Sequence, residues 1–471
     1  MKRFMTPENK KWWTLAAVSV GLFMIMLDNT VVNVALPSIR RSLGMSLEGL
    51  EWVVAGYALT FAAFMLIGGK LADYFGRRLI FMVGLAVFTA ASLACGLAPN
   101  GGFLIGARVV QGLGGAMMNP ATLSIITATF APRERGKAIG IWAGVSAMAL
   151  AIGPLVGGLL TEHVNWNWIF YVNVPFGIAG LFAIPIFIDE SRDESMHQRL
   201  DIPGLVASAV GLFSLTYAFI EANNYGWSSA RILGAFAIAL VAGAAFLLLE
   251  RHQRAPMLDL SLFRNRTFSG ANASMLFVGL AMFGTFFYVS LYMQNVLQYS
   301  PVEAGASFLP MTLLIILIAP RAGALTDRVG SRWLVGGGMT LLAGMLFYYS
   351  QLGANESFWK ILPGLLIGGA GMGMTMTPVT AAAMSAVAVD KAGVGSAVLN
   401  SARQVGGSLG IAIMGSIVAG AGDYLTGFHD ALQVGALLCL VGAGVAVTAI
   451  RKIEHPHEHE QAGRQPAVEA A

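Results

Sequence analysis

The sequence predicts an all-α, polytopic membrane protein of fourteen transmembrane helices, arranged as two six-helix halves with an extra pair between them. Three observations predict it. Of the 471 residues, 56% are hydrophobic and 11% charged, against about 25% charged in a soluble domain. The apolar residues fall into runs near twenty long, the length a hydrocarbon core roughly 30 Å thick requires at about 1.5 Å per residue. A charged segment near the start of the chain also recurs in its second part.

Lys2, Arg3, Lys10 and Lys11 precede an apolar run from Trp12 to Pro37. That run exceeds a signal-peptide core and lacks a small-residue cleavage site, so it is expected to remain as the first span, residues 13–36. The second span, 51–70, ends at GKLADYFGRR, and the third, 79–98, starts beyond that turn. The fourth, 103–127, contains RVVQGLGGA; the fifth, 138–160, follows the basic stretch APRERGK; the sixth, 168–188, follows WNW. Asp189 to Asp201 is dense in acids and arginines and reads as a linker. The extra pair is placed at 203–220 and 231–249. Six more spans follow at 269–292, 305–325, 333–352, 360–384, 396–418 and 430–450. The chain thus divides into an N-terminal segment 1–12, a first half 13–188, a linker with two spans 189–268, a second half 269–450, and a tail 451–471.

Every connection is short, which leaves no room for a soluble catalytic domain. Of the 29 Lys and Arg, four fall in the loops of one side, Arg40, Arg41, Arg231 and Lys360, and Arg108 and Arg403 fall within spans. All others gather on the side of the termini, which the positive-inside rule assigns to the cytoplasm of a cell membrane. The net charge of +4 reflects those loops and gives no support to a nucleic-acid partner. Cys95 and Cys439 lie in separate apolar runs and read as small core residues, which excludes a disulfide framework. The tail segment EHPHEHE, residues 454–460, reads as a solvated extension with no fold to fix its histidines. No metal site, cofactor or enzymatic constellation is expected.

Gly69, Leu71, Asp73, Gly76 and Arg78 recur as Gly323, Leu325, Asp327, Gly330 and Arg332, at an offset of 254 residues. A second offset of 257 relates Gly136, Gly153 and Gly158 to Gly393, Gly410 and Gly415. Two homologous six-span halves explain both. Such halves are the plan of many secondary transporters, whose substrate site lies between them near the membrane midplane.

LDNTVVNVALP in the first span, the GKLADYFGRR turn, RVVQGLGGA, IGPLVGG in the fifth span, WNWIFYVNVPFG, and GVGSAVLNSARQVGGSLGIAI late in the chain occur in order and on the right spans. Together they closely resemble the fourteen-span drug:proton antiporter family of the major facilitator superfamily, over about residues 13–451. The resemblance implies the major facilitator fold and export of small lipophilic compounds in exchange for protons. It also implies alternating access by a monomer in the lipid bilayer. Import of a small solute is the alternative, against which the fifth-span motif and the extra pair speak. Asn167 departs from the arginine usual there, which is expected to loosen the outer end of the sixth span.

Among the acids, only Asp28 is expected deep within a span, with Glu221, Glu303 and Asp423 near span ends. An intramembrane acid costs about 2.5–3.5 kcal/mol on insertion scales and is functional by default. Counted from the same side, Asp28 lies about 12 Å deep and Arg108 about 8 Å, so the two are within reach of pairing. Burial disfavours a charged carboxyl and a guanidinium favours it, opposed influences that suit a group loading and releasing a proton. Asn29, Asn33 and Gln111, with Asn400, Arg403 and Gln404 of the second half, are the candidate cavity lining. Pro154 leaves a carbonyl without its helical partner, and Gly140/Gly144 and Gly153/Gly157 are spaced for close helix packing, as is Gly158. Gly69, Asp73, Gly76, Arg77 and Arg78, with Asp327 and Arg332 in the second copy, form the candidate gating turns. By the resemblance, Asp73 latches the outward-open state, with Arg133 or Arg135 as its basic partners.

Overall fold

A computed structural model describes residues 7–192, 200–253, 256–387 and 391–451. The histidine-containing tail lies outside the described residues, as does the side chain of Asp327. Among the described residues there is no strand. The long helices are α1 (Pro7–Leu43), α2 (Leu47–Phe75), α3 (Arg77–Gly96), α4 (Gly101–Thr129), α5 (Pro132–His163) and α6 (Trp168–Phe187). They continue as α7 (Ile202–Tyr225), α8 (Ala230–His252), α9 (Arg266–Asn295) and α10 (segments Pro301–Ser307 and Leu309–Val329). The last four are α11 (Ser331–Tyr349), α12 (Phe358–Ser385), α13 (Ala392–Gly420) and α14 (Tyr424–Ala449).

Local chemistry sets many of the ends. Ser46, Asn100, Ser229 and Asp423 each accept a hydrogen bond from a backbone N–H of the turn they start, and Ser300 with Glu303 closes a reciprocal capping box on α10. Gly76 and Gly330 sit at φ of +122° and +90° between paired helices. Only glycine adopts that backbone without strain, so the two copies of the charged segment make equivalent turns.

Twelve of the described helices are long and apolar enough to cross a membrane. The two long helices outside that set are α4, which carries Arg108, and α11; both are packed between neighbours of their own half. The expected fourteen spans therefore rest on these two. The start of α1 and the end of α14 lie on one face, here the termini face, opposite the far face. The helices run past the apolar runs: α1 and α2 begin and end outside the expected 13–36 and 51–70 because capping and packing extend them.

Helices α1–α6 form one bundle and α9–α14 the other. The bundles meet along α2 against α13, α5 against α10, and α1 against α9. The pair α7–α8 lies against α2 and α13, covering that seam from outside. Asn223 of α7 donates to the Ser416 carbonyl of α13 (2.6 Å), and the Trp52 indole of α2 donates to Glu221 of α7 (3.3 Å).

Two expectations are corrected. At Gly140 and Gly144 an added Cβ would meet nothing within 4 Å, so this pair mediates no close packing here; the same stretch of α5 is held on its other faces, where Lys11 of α1 pairs with Glu134 and Trp142 donates to Thr122 of α4. Asn167 does not loosen the far end of α6. Its amide donates to the Gly96 carbonyl (2.6 Å), which also accepts from the Tyr171 hydroxyl (2.7 Å), tying α6 to α3.

Candidate functional site

Four helices build one charged network inside the first half. Asp28 of α1 is fully buried, and its Oδ2 accepts from the Arg108 guanidinium of α4. Its Oδ1 accepts from the Gln111 amide at 2.9 Å. One turn along α4, Gln111 completes the set: its Oε1 accepts from Arg108 (2.6 Å) and its Nε2 also donates to Ser92 of α3 (2.8 Å). Arg108 further donates through Nε to the Val53 carbonyl of α2 (3.1 Å) and lies 4.2 Å from the Tyr57 ring centroid. A buried ion pair persists only when its remaining donors and acceptors are met. Here both carboxylate oxygens and the Gln111 amide have partners. A proton on Asp28 would remove the anion of the pair and weaken the tie between α1 and α4.

A cavity of about 700 Å³ opens on the termini face between the halves. Its wall includes Gly69, Asp73 and Arg77 from the end of α2, Asn119 and Ser124 of α4, Arg135 and Trp142 of α5, and Gly393 and Ser396 of α13. Asp73 binds Arg77 at 2.9 Å, one turn along, rather than the expected Arg133 or Arg135. Arg135 shares this cavity but donates to the Phe130 carbonyl (3.0 Å). The turn itself is fastened by a residue the sequence reading did not single out. Glu190, beyond α6, accepts from the Arg78 and Leu79 amides (3.0 and 3.2 Å) at the start of α3. A carboxylate at a helix N-terminus is a common anchor, and its place in the acidic linker was the only sequence signal. Arg332, in the second copy, is exposed against Trp333. In the loop before α9, hydrogen bonds from Lys391 (2.6 Å) and Ser261 hold the Asp259 carboxyl down at about 2.

The fifth-span motif lies at the closed end. A Cβ at Gly153 would strike Thr30, and one at Gly157 would lie 2.5 Å from the Val31 carbonyl oxygen, both on α1. Gly158 backs onto the Pro301 carbonyl of α10, and Gly305 of α10 onto the carbonyl of Pro154. Backbone packing on backbone thus joins the halves on the far face, while they part around the cavity on the termini face.

Of the candidate cavity residues, Asn29 and Gln404 meet across the halves (3.5 Å). Asn33 donates to the Asn29 carbonyl and Asn400 to the Ser396 carbonyl. Arg403 is 8% exposed, makes no ion pair among the described residues, and leaves Nε without a partner. None of these six lines the open cavity.

Burial is not confined to Asp28 but reaches acids near helix ends, among them Asp201 at the start of α7, 1% exposed. Glu51, in the second turn of α2, is 1% exposed, and Glu250, near the end of α8, is 4% exposed. The apolar run placed the start of the second span at Glu51, but α2 begins at Leu47 and the second half closes over it. Glu221, Glu303 and Asp423 do lie near helix ends, where they bind Trp52, cap α10 and cap α14.

The family model of the Major Facilitator Superfamily matches residues 18–411. The multidrug resistance protein Stp of Mycobacterium tuberculosis (strain CDC 1551 / Oshkosh) is 38% identical over 409 residues, 86% of this chain and 75% of its own length. The tetracenomycin C resistance and export protein of Streptomyces glaucescens is 38% identical over 417 residues, 88% of this chain and 77% of its own. The methylenomycin A resistance protein of Streptomyces coelicolor is 34% identical over 462 residues, 97% and 94%. Among solved structures, a bacterial homolog of the human lysosomal transporter Spinster matches with a TM-score of 0.66 at 18% identity, covering 95% of this chain and 99% of that one.

Proposed function

This chain belongs to the major facilitator superfamily, and from that premise we propose that it exports small lipophilic compounds, antibiotics among them, in exchange for protons. Export is supported by relatives named for resistance and, in one case, for export, aligned over most of both chains. The observation that carries proton coupling is the buried Asp28–Arg108–Gln111 network. A carboxyl sealed away from water with one guanidinium partner exchanges a proton only when the surrounding helices move, and that dependence is the requirement of coupling.

In this reading the termini face is cytoplasmic, as its concentration of Lys and Arg supports. Substrate enters the 700 Å³ cavity from the cytoplasm or the inner leaflet. Breaking the glycine contacts of α5 with α10 and closing the Asp73 turns then re-exposes it outside. A proton reaching Asp28 from outside drives the return. The test uses proteoliposomes of the purified protein, with a pH gradient imposed across the membrane and a panel of antibiotics. Gradient-driven accumulation of a compound, accompanied by proton movement in the opposite direction, is expected. Accumulation that persists without a gradient, or that carries no proton flux, would refute antiport.

A further inference from the structure

The far-face seam between α2 and α13 holds a carboxyl that the network around Asp28 does not use. Glu51 Oε1 lies 3.1 Å from the Tyr288 hydroxyl, and that hydroxyl lies 2.8 Å from the Ile411 carbonyl oxygen of α13. Glu51 Oε2 is buried without a partner. A tyrosine has one proton to give and a carbonyl can only accept, so two full hydrogen bonds here take two protons. Tyr288 supplies one. A proton on Glu51 supplies the other, its O–H donating to the tyrosine oxygen while the tyrosine donates to Ile411.

The surroundings agree. The charged groups acting on Glu51 are Glu48 on its own helix and Glu221 on α7, both acidic. Tyr288 faces it from α9, and behind that ring the Tyr424 hydroxyl of α14 donates to the Tyr288 carbonyl (3.3 Å). Arg40, on α1, acts on Tyr424; Arg108, on α4, is held by Asp28. The stretch of α13 from Ile411 to Ser416 offers no ionisable side chain. A bare carboxylate here would be buried without a cation, which is costly.

The position is also built. A Cβ at Gly415 would fall on the Glu51 carboxyl, so that glycine makes its room. Tyr288 belongs to a π-helical turn, Thr285–Val289, inside α9; such a turn re-aims side chains and is frequent at functional sites. Under the repeat, position 51 corresponds to Gly305 and position 411 to Pro154. In the equivalent seam Gly305 rests directly on the Pro154 carbonyl. One seam is closed by bare backbone, and its counterpart by an acid and a tyrosine.

We infer that Glu51 is a proton-operated gate: protonated it lets α2 close on α9 and α13, and ionised it holds the far face open. Water admitted by the opened seam would solvate the carboxylate, whereas closure demands a proton from that side. This inference rests on the transporter reading only in assigning the far face to the cell exterior. External acidity then favours the return to the cavity-in state, in addition to whatever Asp28 carries.

The test measures the gate rather than transport. Spin labels at Ser42 and Asn295, exposed on opposite halves of the far face, are introduced into full-length protein lacking Cys95 and Cys439. Their distance distribution is followed in lipid nanodiscs from about pH 5 to about pH 9. A shift from short to long distances with rising pH is expected. Glu51→Gln should stay short throughout, since its amide keeps a donor for Tyr288. Tyr288→Phe, with Glu51 intact, should move the midpoint to lower pH by about one unit, the worth of one hydrogen bond. Asp28→Asn should retain the shift. A wild-type protein whose distances ignore pH, a Glu51→Gln variant that opens at the normal midpoint, or an unmoved Tyr288→Phe midpoint would each overturn the gate. A response lost in Asp28→Asn but kept in Glu51→Gln would give the sensing role to Asp28 instead, whereas failed gradient-driven export with an intact Glu51 response would remove antiport and leave the gate.

Discussion

At Asp28 and Arg108 the two halves of one ion pair are not equivalent under mutation. Asp28→Asn leaves a guanidinium that cannot neutralise itself, held by Gln111, the Val53 carbonyl and the Tyr57 and Phe170 rings with no anion beside it among the described residues. Breaking one partner of a buried pair costs about 3–5 kcal/mol in soluble proteins, so this variant should fold with a lowered melting temperature and lose gradient-driven export entirely. Arg108→Ala leaves a carboxyl that can take up a proton, so its stability should suffer less while transport falls and its pH optimum moves. Thermal melts in detergent and export assays across pH check both. Full export by Asp28→Asn at normal expression would exclude Asp28 as the carrier, and an unchanged pH profile in Arg108→Ala would separate the residues.

At the scale of one helix, the glycines of α5 are close-packed along one half and face open space along the other. Gly158 lies against the Pro301 carbonyl, and Gly140 has empty space where a Cβ would go. A single methyl should therefore discriminate the halves. Overpacking costs about 1–3 kcal/mol, and at Gly158 that falls only on the state in which the far face is closed. Gly158→Ala should slow export about tenfold or more, whereas Gly140→Ala should stay within about twofold. Equal effects at the two sites would show that contacts other than these backbone approaches set the rate. In the turn after α2, Asp73→Ala should reduce turnover more than equilibrium binding of the compound, since Asp73 engages Arg77 and bears on conformation. Loss of affinity with normal turnover would contradict that role.

Across the whole molecule, the distribution of basic residues predicts which face is cytoplasmic. Cysteines placed at Arg192 on the termini face and Ser228 on the far face, both exposed, should differ in intact cells. An impermeant thiol reagent should label the second and spare the first; the reverse would invert the topology. The charge inventory also bears on the substrate. Glu51 needs its proton in the closed state, Asp28 is committed to Arg108, and Arg403 has no anionic partner among the described residues. Burying a dication in such an interior leaves charge uncompensated. Neutral, zwitterionic, weakly anionic or monocationic compounds should be exported in preference to bis-quaternary cations of similar lipophilicity, as resistance measurements with a matched set would show. Strong export of the dication depending on Asp28 alone would refute this accounting.

Composition and run length were enough to read a membrane-spanning helical protein, because a hydrocarbon core requires apolar runs of set length and tolerates few charges. The repeated Asp73 and Asp327 turns were legible because each ends at a glycine whose positive φ only that residue adopts easily, Gly76 and Gly330. Asp28 stood out because an acid in the middle of an apolar run has no solvated explanation, and Arg108 was within reach by depth alone. Glu51 was hidden for the opposite reason. It lies at the edge of its apolar run, where hydropathy treats an acid as wetted. Only packing of α13 against α2, with Tyr288 of α9 on the carboxyl and α7 over the seam, buries it. The same division separates Gly158 from Gly140, identical in chemistry and alike in spacing. Which glycine supports a contact depends on how the two halves lean together, a property of the assembled bundle and not of any one helix.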